Sequence, residues 1–413
     1  MTKLLGNAVV GQSGGPTSAI NATLAGVIAG VLDAQKNGGC IKTLYGMRNG
    51  IEGLLKEELV DLTERFAGGK ELSCLIHTPA AALGSCRKKL PPVGEDDAVY
   101  EKLLQIFRTY DIRYFFYIGG NDSMDAVAKL SEYTARVGYE MRIVGVPKTI
   151  DNDLVVTDHT PGFGSAAKYI ATTLTEILCD CAVYRVPAVT LVEIMGRDAG
   201  WLAASAALAG REGEGVDYIY LPERAFDMDS FLADVEKALG RHPNVVIAVS
   251  EGLRDARGRY VGEGTQSGVA DAFGHKYLAG TAKALELVVK ARFGCKVRSI
   301  ELNLPQRCAS HLASKTDLEE SLTVGASAVE HACLRGASRV MMVLERREQE
   351  EYAYAVNCYD ISVIANRVKK VPDEFINAEG NGVTEACVHY LAPLIAGESF
   401  PEYENGIPKY LSL

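Results

Sequence analysis

Short apolar runs and amphipathic stretches alternate along this chain. Residues 8–10, 114–118, 143–146, 189–194, 245–249 and 340–344 are almost continuously aliphatic, β-branched or aromatic. Runs that short and that unbroken predict strands buried on both faces, as in a parallel sheet. Most are followed by helical patterns, at about 18–35, 123–136, 164–178, 201–209 and 231–239. Strand–helix alternation of this kind predicts an α/β fold with helices wrapped over the sheet. A chain of 413 residues is long for one such domain and suits two.

Hydrophobic residues make up 47% of the chain, enough to fill sizeable cores. The net charge of −10 argues against a nucleic-acid partner, because phosphate backbones are held by displacing counterions with a basic surface. A small anion is still open to it, since a few local arginines outweigh a distant acidic surface. Residues 1–15 carry one lysine and are broken by Gly6, Asn7 and Gln12, unlike a secretory leader. No apolar run approaches the ~18–20 residues of a membrane span. A cytoplasmic protein with no membrane partner is expected. The ten cysteines, from Cys40 to Cys387, show no repeated C-x-x-C spacing, only a C-x-C pair at Cys179 and Cys181, and are expected to be reduced, structural thiols. The stretch 254–274, rich in glycine and charge, either borders a site or is a solvated loop.

Candidate chemistry concentrates where strands end, which is where open parallel sheets bind ligands. GQSGGPTS (11–18) follows the first strand, and its glycines let backbone N–H groups approach an anion. GGNDS (119–123) repeats the strand–glycine–helix arrangement, although Asn, Asp and Ser are also ordinary helix caps. PKTIDND (147–153) packs Lys148, Thr149, Asp151 and Asp153 behind an apolar strand. A plain turn explains the Asp-Asn-Asp but not the lysine and threonine. A phosphotransferase needs that set: a base for the attacking hydroxyl, a magnesium ligand and a cation beside the moving phosphoryl group.

With LGSCR (83–87), VEIMGRDAGWLA (192–203), VSEG (249–252) and LPQR (304–307), these motifs stand in the order found in the phosphofructokinases. The chain resembles that family, and within it the pyrophosphate-dependent branch. The resemblance implies two Rossmann-like three-layer domains with the active site in the cleft between them. Residues 1–149 plus about 307–344 would bind pyrophosphate, and 151–303 the sugar phosphate; 355–413 form an extension of open placement. It implies reversible phosphoryl transfer from pyrophosphate to the 1-hydroxyl of fructose 6-phosphate, with Mg2+, in a homodimer or homotetramer. An ATP-dependent phosphofructokinase or a catalytically silent regulatory subunit is the alternative.

Carried over by motif, Asp151 is the general base, and Thr149 contacts the reacting end of the sugar. Gly15, Arg87 and Lys148 bind pyrophosphate, with Lys88 and Lys89 adding positive potential. Asn121 and Asp153 hold the metal. Met195, Gly196 and Arg197, with Glu251, bind the sugar phosphate, and Arg298 and Arg307 its 6-phosphate, one of them from a neighbouring subunit. Trp201 and Glu193 are expected to be structural, and Thr316 and Asp317 to start a helix. Three positions depart from the family pattern: Asn121 stands where an aspartate is common, Ala188 where a basic ligand is, and Leu304 replaces a polar or aromatic residue.

Donor choice turns on Asp122 and Lys148, both commonly glycine in ATP-using relatives. A carboxylate ~4 Å from an α-phosphate oxygen costs on the order of 4 kcal/mol at an effective dielectric of 20. Asp122 is expected to exclude ATP in this way and to help orient Lys148, whose ammonium offsets charge on the leaving oxygen.

Overall fold

A computed structural model of the chain describes residues 4–69, 71–210, 214–263 and 280–413. Residues 264–274, the larger part of the glycine- and charge-rich stretch, lie outside the described residues. Among the described residues eleven strands form two sheets, and the short strands Tyr403–Glu404 and Ile407–Pro408 pair as a separate third. The chain first lays down β1 (Gly6–Gln12), β2 (Ile41–Met47), β3 (Leu59–Asp61), β4 (Ile112–Gly119) and β5 (Arg142–Pro147). It then builds a second sheet from β6 (Ala188–Ile194), β7 (Tyr218–Tyr220), β8 (Asn244–Ser250) and β9 (Lys296–Glu301). Finally it returns to the first sheet with β10 (Val340–Arg346) and β11 (Tyr354–Asp360).

The first sheet has the order β11-β10-β5-β4-β1-β2-β3, and the second β7-β8-β6-β9. Pairing is parallel throughout the second sheet; in the first, only the edge strands β3 and β11 run antiparallel. All six strands read from apolar runs are present. Their side chains alternate between two cores, as a sheet covered on both faces requires. Ala8, Val10 and Phe116 pack into one core of the first sheet, and Val9, Phe115 and Tyr117 into the other. In the second sheet Val192 and Ile194 face one core, and Val189 and Leu191 the other.

The 20-residue helix Lys315–Leu334 packs against helix Ile20–Lys36 at very short range. A Cβ on Gly26 would lie 2.1 Å from the Leu322 carbonyl oxygen, and one on Gly325 2.2 Å from that of Thr23. Neither position has room for a side chain, so two glycines on facing helices permit the contact. Thr316 and Asp317 do stand in the first turn of this helix. The carboxylate of Asp317 is nonetheless spent elsewhere: it accepts from the N–H groups of Gly162 and Ser165, at 2.8 and 2.9 Å, and so caps helix Phe163–Cys181. The expected helix 201–209 is one α turn, Trp201–Ala204, followed by a 3-10 turn, Ser205–Leu208. Among the described residues no helix is long and apolar enough to cross a membrane, and no two cysteines are joined in a disulfide.

Candidate active site

A cleft of about 930 Å³ opens at the carboxyl ends of β1, β4, β5, β6 and β8. One wall carries the glycine loop after β1. Gly14 has φ 80°, open to glycine at no steric cost. The loop is zipped to the 83–87 loop: Gly14 N–H donates to the Cys86 carbonyl at 3.2 Å, and Ser85 Oγ donates to the Gly14 carbonyl at 2.7 Å. Deeper, the fully buried Gln12 accepts from the Leu83 N–H at 2.9 Å and donates to Asn21 Oδ1 at 2.8 Å. Asn21 donates to the Thr78 carbonyl and accepts from the Ala82 N–H. These bonds hold Arg87, exposed to solvent, at the cleft beside Gly15. Gln12 lies inside the motif read from sequence and Asn21 three residues beyond it, yet their part in aiming a loop some seventy residues away could not be seen there.

Lys148 is 3% exposed and donates to the Gly15 carbonyl at 2.6 Å. Burial pulls its ammonium down to about 8, against the opposing pull of Asp151 and Asp153. Thr149 Oγ1 accepts from the Asp151 N–H at 3.1 Å and shapes the turn to the acids. Desolvation raises Asp151 above the ordinary carboxylate range, with Lys148 and Arg197 drawing it back. Desolvation and the Asp151 charge together push Asp153 up to about 7. Two acids and a lysine thus share one poorly solvated pocket, an arrangement typical of reaction sites.

Asp122 also lines the cleft but does not orient Lys148. Its ion pair is with Lys89, at 3.5 Å, and its side chain is 41% exposed. Lys148 is held instead by the backbone carbonyl of Gly15. Gly120, with no side-chain cap bond, is the residue before the helix that carries Asp122, Asn121–Arg136. Asn121 is engaged by the chain's C-terminal part: its amide donates to the Arg367 carbonyl at 2.7 Å and accepts from the Asn366 N–H at 2.6 Å.

The opposite wall comes from the second sheet. Met195, Arg197 and Glu251 line it, joined by Asn303, Leu304, Gln306 and Arg307. Glu251 accepts from the Gly196 N–H at 3.3 Å, and Gln306 from the Met195 N–H at 3.2 Å. Burial lifts Glu251 to about 8. A Cβ on Gly15 would lie 3.4 Å from Arg307 Nη1, so this guanidinium reaches the opposite loop. Gln306, 1% exposed, was missed from sequence, although it stands beside Arg307 in the quoted motif.

Arg298 is not brought to this cleft. It lies on β9, opposite Thr190, and lines a separate hollow of about 190 Å³ with Tyr184, Ala188 and Lys296. Position 188, where the basic ligand is missing, faces Lys296 across the ladder. Glu193 is structural in its bonding: it accepts from the N–H groups of Gly280 and Ala282. Trp201 is 2% exposed, packed on Phe375 and Tyr390, with its indole N–H donated to the Lys369 carbonyl.

Residues 7–330 match the family model described as phosphofructokinase. The chain is 45% identical over 412 residues to a pyrophosphate–fructose 6-phosphate 1-phosphotransferase of Xanthomonas campestris pv. campestris, covering 99% of this chain and 96% of that protein. A protein of the same name from Methylococcus capsulatus is 42% identical over 410 residues, covering 98% and 96%. The crystal structure of a pyrophosphate-dependent phosphofructokinase from Nitrosospira multiformis superposes with a TM-score of 0.88 at 39% identity, covering 99% of this chain and 96% of that one.

Proposed function

The chain belongs to the phosphofructokinase family, and within it we propose that this cleft transfers a phosphoryl group reversibly from pyrophosphate to the 1-hydroxyl of fructose 6-phosphate. The observation that carries this reading is the poorly solvated set Lys148, Asp151 and Asp153 between a backbone-lined glycine loop and an arginine-bearing wall. Near-full-length relatives bearing that activity in their names support it. We take the two sheets with their helices as two Rossmann-like, three-layer domains, the first built from 1–149 and the returning 307–344, extended past the expected limit by the edge strand β11, the second from 151–303. The reaction lies in the cleft between them.

In the forward direction the sugar hydroxyl attacks the terminal phosphorus of pyrophosphate while Asp151 accepts its proton. The bond from that phosphorus to the bridging oxygen breaks, and inorganic phosphate leaves with the electron pair. Lys148, held on the Gly15 carbonyl, offsets the charge that grows on the leaving oxygen. Gly15 and Arg87 hold the rest of the donor, and Thr149 keeps the Asp151 turn in shape. Met195, Gly196, Arg197 and Glu251 bind the sugar phosphate, and Arg307 its 6-phosphate. Arg298 would serve the same phosphate in a neighbouring copy, since it lies outside its own chain's cleft. A cytoplasmic homo-oligomer is therefore part of the proposal.

The donor set fits a magnesium ion. Asp153 and Asp151 are acids whose mutual repulsion a cation relieves, and with Asp151 taking the hydroxyl proton, Asp153 is left to hold the metal. Asn121 could add a neutral oxygen, but that oxygen already accepts from Asn366. Among the described residues no three acids, histidines or cysteines cluster as a metal cage, so phosphate oxygens and water would complete the shell. Bound there, magnesium neutralises charge on the donor phosphates.

Asp122 sets the donor preference in this reading. Its exposure and its pairing with Lys89 screen it, so its penalty on an α-phosphate falls below the ~4 kcal/mol of an unscreened pair at that dielectric. Coupled assays of purified protein with fructose 6-phosphate and magnesium, supplied with pyrophosphate or ATP at equal concentration, test the reading. Pyrophosphate should be preferred, and Asp122→Gly should raise ATP-supported turnover above background. Wild-type protein that prefers ATP, or a variant whose preference does not move, would sink it.

A further inference from the structure

The family match ends at residue 330, yet the chain beyond it comes back to the cleft, where Asn366 and Val368 form part of the lining. Lys369 stands directly behind them. Its ammonium donates to the Asp158 carbonyl at 2.6 Å, to the Thr157 carbonyl at 3.2 Å and to Asn152 Oδ1 at 3.2 Å. All three acceptors are neutral, and all three belong to the loop that leaves Asp151. The backbone N–H of Lys369 donates to the Asp153 carbonyl at 2.7 Å, a fourth bond to the same loop. Its own carbonyl accepts the indole N–H of Trp201 at 3.0 Å, and its ammonium lies 5.2 Å from the centre of that ring.

The loop so held does not rest in relaxed backbone. Asn152 has φ 53° and Val156 φ 73°; a β-branched residue in that region is strained and persists only where its surroundings over-determine it. Lys369 supplies such surroundings. Trp201 begins a helical turn four residues after Arg197, so it moves with the sugar-facing wall. One residue therefore ties the acid loop of the first wall to the second wall.

Resting on the phosphotransferase reading, we propose that Lys369 is a positioning residue for phosphoryl transfer, locking the loop of Asp151 and Asp153 against the Trp201 turn so that base and sugar site stay in register. A misplacement of ~1 Å between reacting groups costs on the order of 100-fold in rate, whereas binding of either substrate alone need not suffer. Arginine is no substitute, because its planar fork cannot meet three acceptors converging on one point.

The test uses the full chain with pyrophosphate, fructose 6-phosphate and magnesium, in wild type, Lys369→Met, Trp201→Phe and the double variant. Lys369→Met should lower kcat by ~10–100-fold while both KM values change by less than ~3-fold. Trp201→Phe keeps an aromatic ring, smaller than the indole, and deletes the N–H donated to the Lys369 carbonyl; it should lower kcat by ~3–10-fold, and adding it to Lys369→Met should cost little more. A folded Lys369→Met enzyme whose kcat stays within about twofold of wild type overturns the inference, as does a loss confined to KM. If Lys369→Met fails to fold, Trp201→Phe decides: an unchanged kcat overturns the inference. Wild-type protein with no pyrophosphate turnover would instead overturn the functional reading, and this inference with it.

Discussion

The two walls of the cleft are held by different means. On the wall of β1, β4 and β5, short loops clasp one another through backbone and buried amide groups, from Gln12 and Asn21 to the Lys148 bond on Gly15. On the wall of β6 and β8, local bonds such as Gly196 to Glu251 are supplemented by the distant 303–307 segment, through Gln306. A further cation of the same sheet, Arg298, faces away altogether. The first wall is clasped chiefly by loops of one sheet, with the later 366–369 segment bonded to Asn121 and to the acid loop, while the second draws on the 303–307 segment. The contrast assigns the chemistry and the hold on pyrophosphate to the first wall, and capture of the sugar phosphate to the second.

Asp151→Ser is the strongest test of that division. It should lower kcat by at least ~100-fold with little change in either KM, the size expected for loss of a general base. A variant keeping more than half its turnover would remove Asp151 from the mechanism. On the second wall, Arg197→Ala and Arg307→Ala should each raise the KM for fructose 6-phosphate by ~10–100-fold, through lost charge-assisted hydrogen bonds. Arg307 sharpens the comparison because its guanidinium also approaches Gly15. If its removal moves only the pyrophosphate constant, this arginine serves the first wall.

Smaller effects probe the supports. Gln12→Leu leaves the buried Leu83 N–H without its acceptor and should cost ~1–3 kcal/mol in stability, measured by chemical denaturation. It should also raise the KM for pyrophosphate, since Arg87 rides on that loop; an unchanged constant would show that the zipper only stabilises. The smallest effect expected is at His159, buried between Asp158 and Glu320 at 2.8 and 2.7 Å. These carboxylates overcome desolvation and raise its imidazole to about 9. With the folded value above the unfolded one, its stabilisation is complete below pH ~6.5 and is lost as pH rises towards 9. Wild-type Tm should fall over that window by an extra ~2–4 °C relative to His159→Gln. Parallel pH profiles for the two proteins would assign the slope to other groups.

Elements with a strong local signature were legible in the chain. The six apolar runs are strands because each is buried on both faces, and an unbroken β-branched run has few other uses. Strands with weaker signatures escaped: β2 and β9 carry lysine, threonine, arginine or serine at partly exposed positions, and β7 has only three residues. The start of helix Lys315–Leu334 was legible at Thr316 and Asp317 but its extent was not, because it buries glutamate, serine and histidine alongside its apolar side chains and shows no clean stripe.

The same division runs through the site. The order of motifs along the chain determined the family and the residue types at the strand ends, since a glycine loop or an acid pair acts through neighbours in sequence. Tertiary structure decided which of those residues meet. It joined Arg307 to the glycine loop, turned Arg298 away, bound Asp122 to Lys89 rather than Lys148, and brought Lys369 behind the acids from more than two hundred residues downstream. Such contacts depend on how the sheets and the returning chain pack, and hydrogen bonds between residues far apart leave no periodicity in a linear sequence.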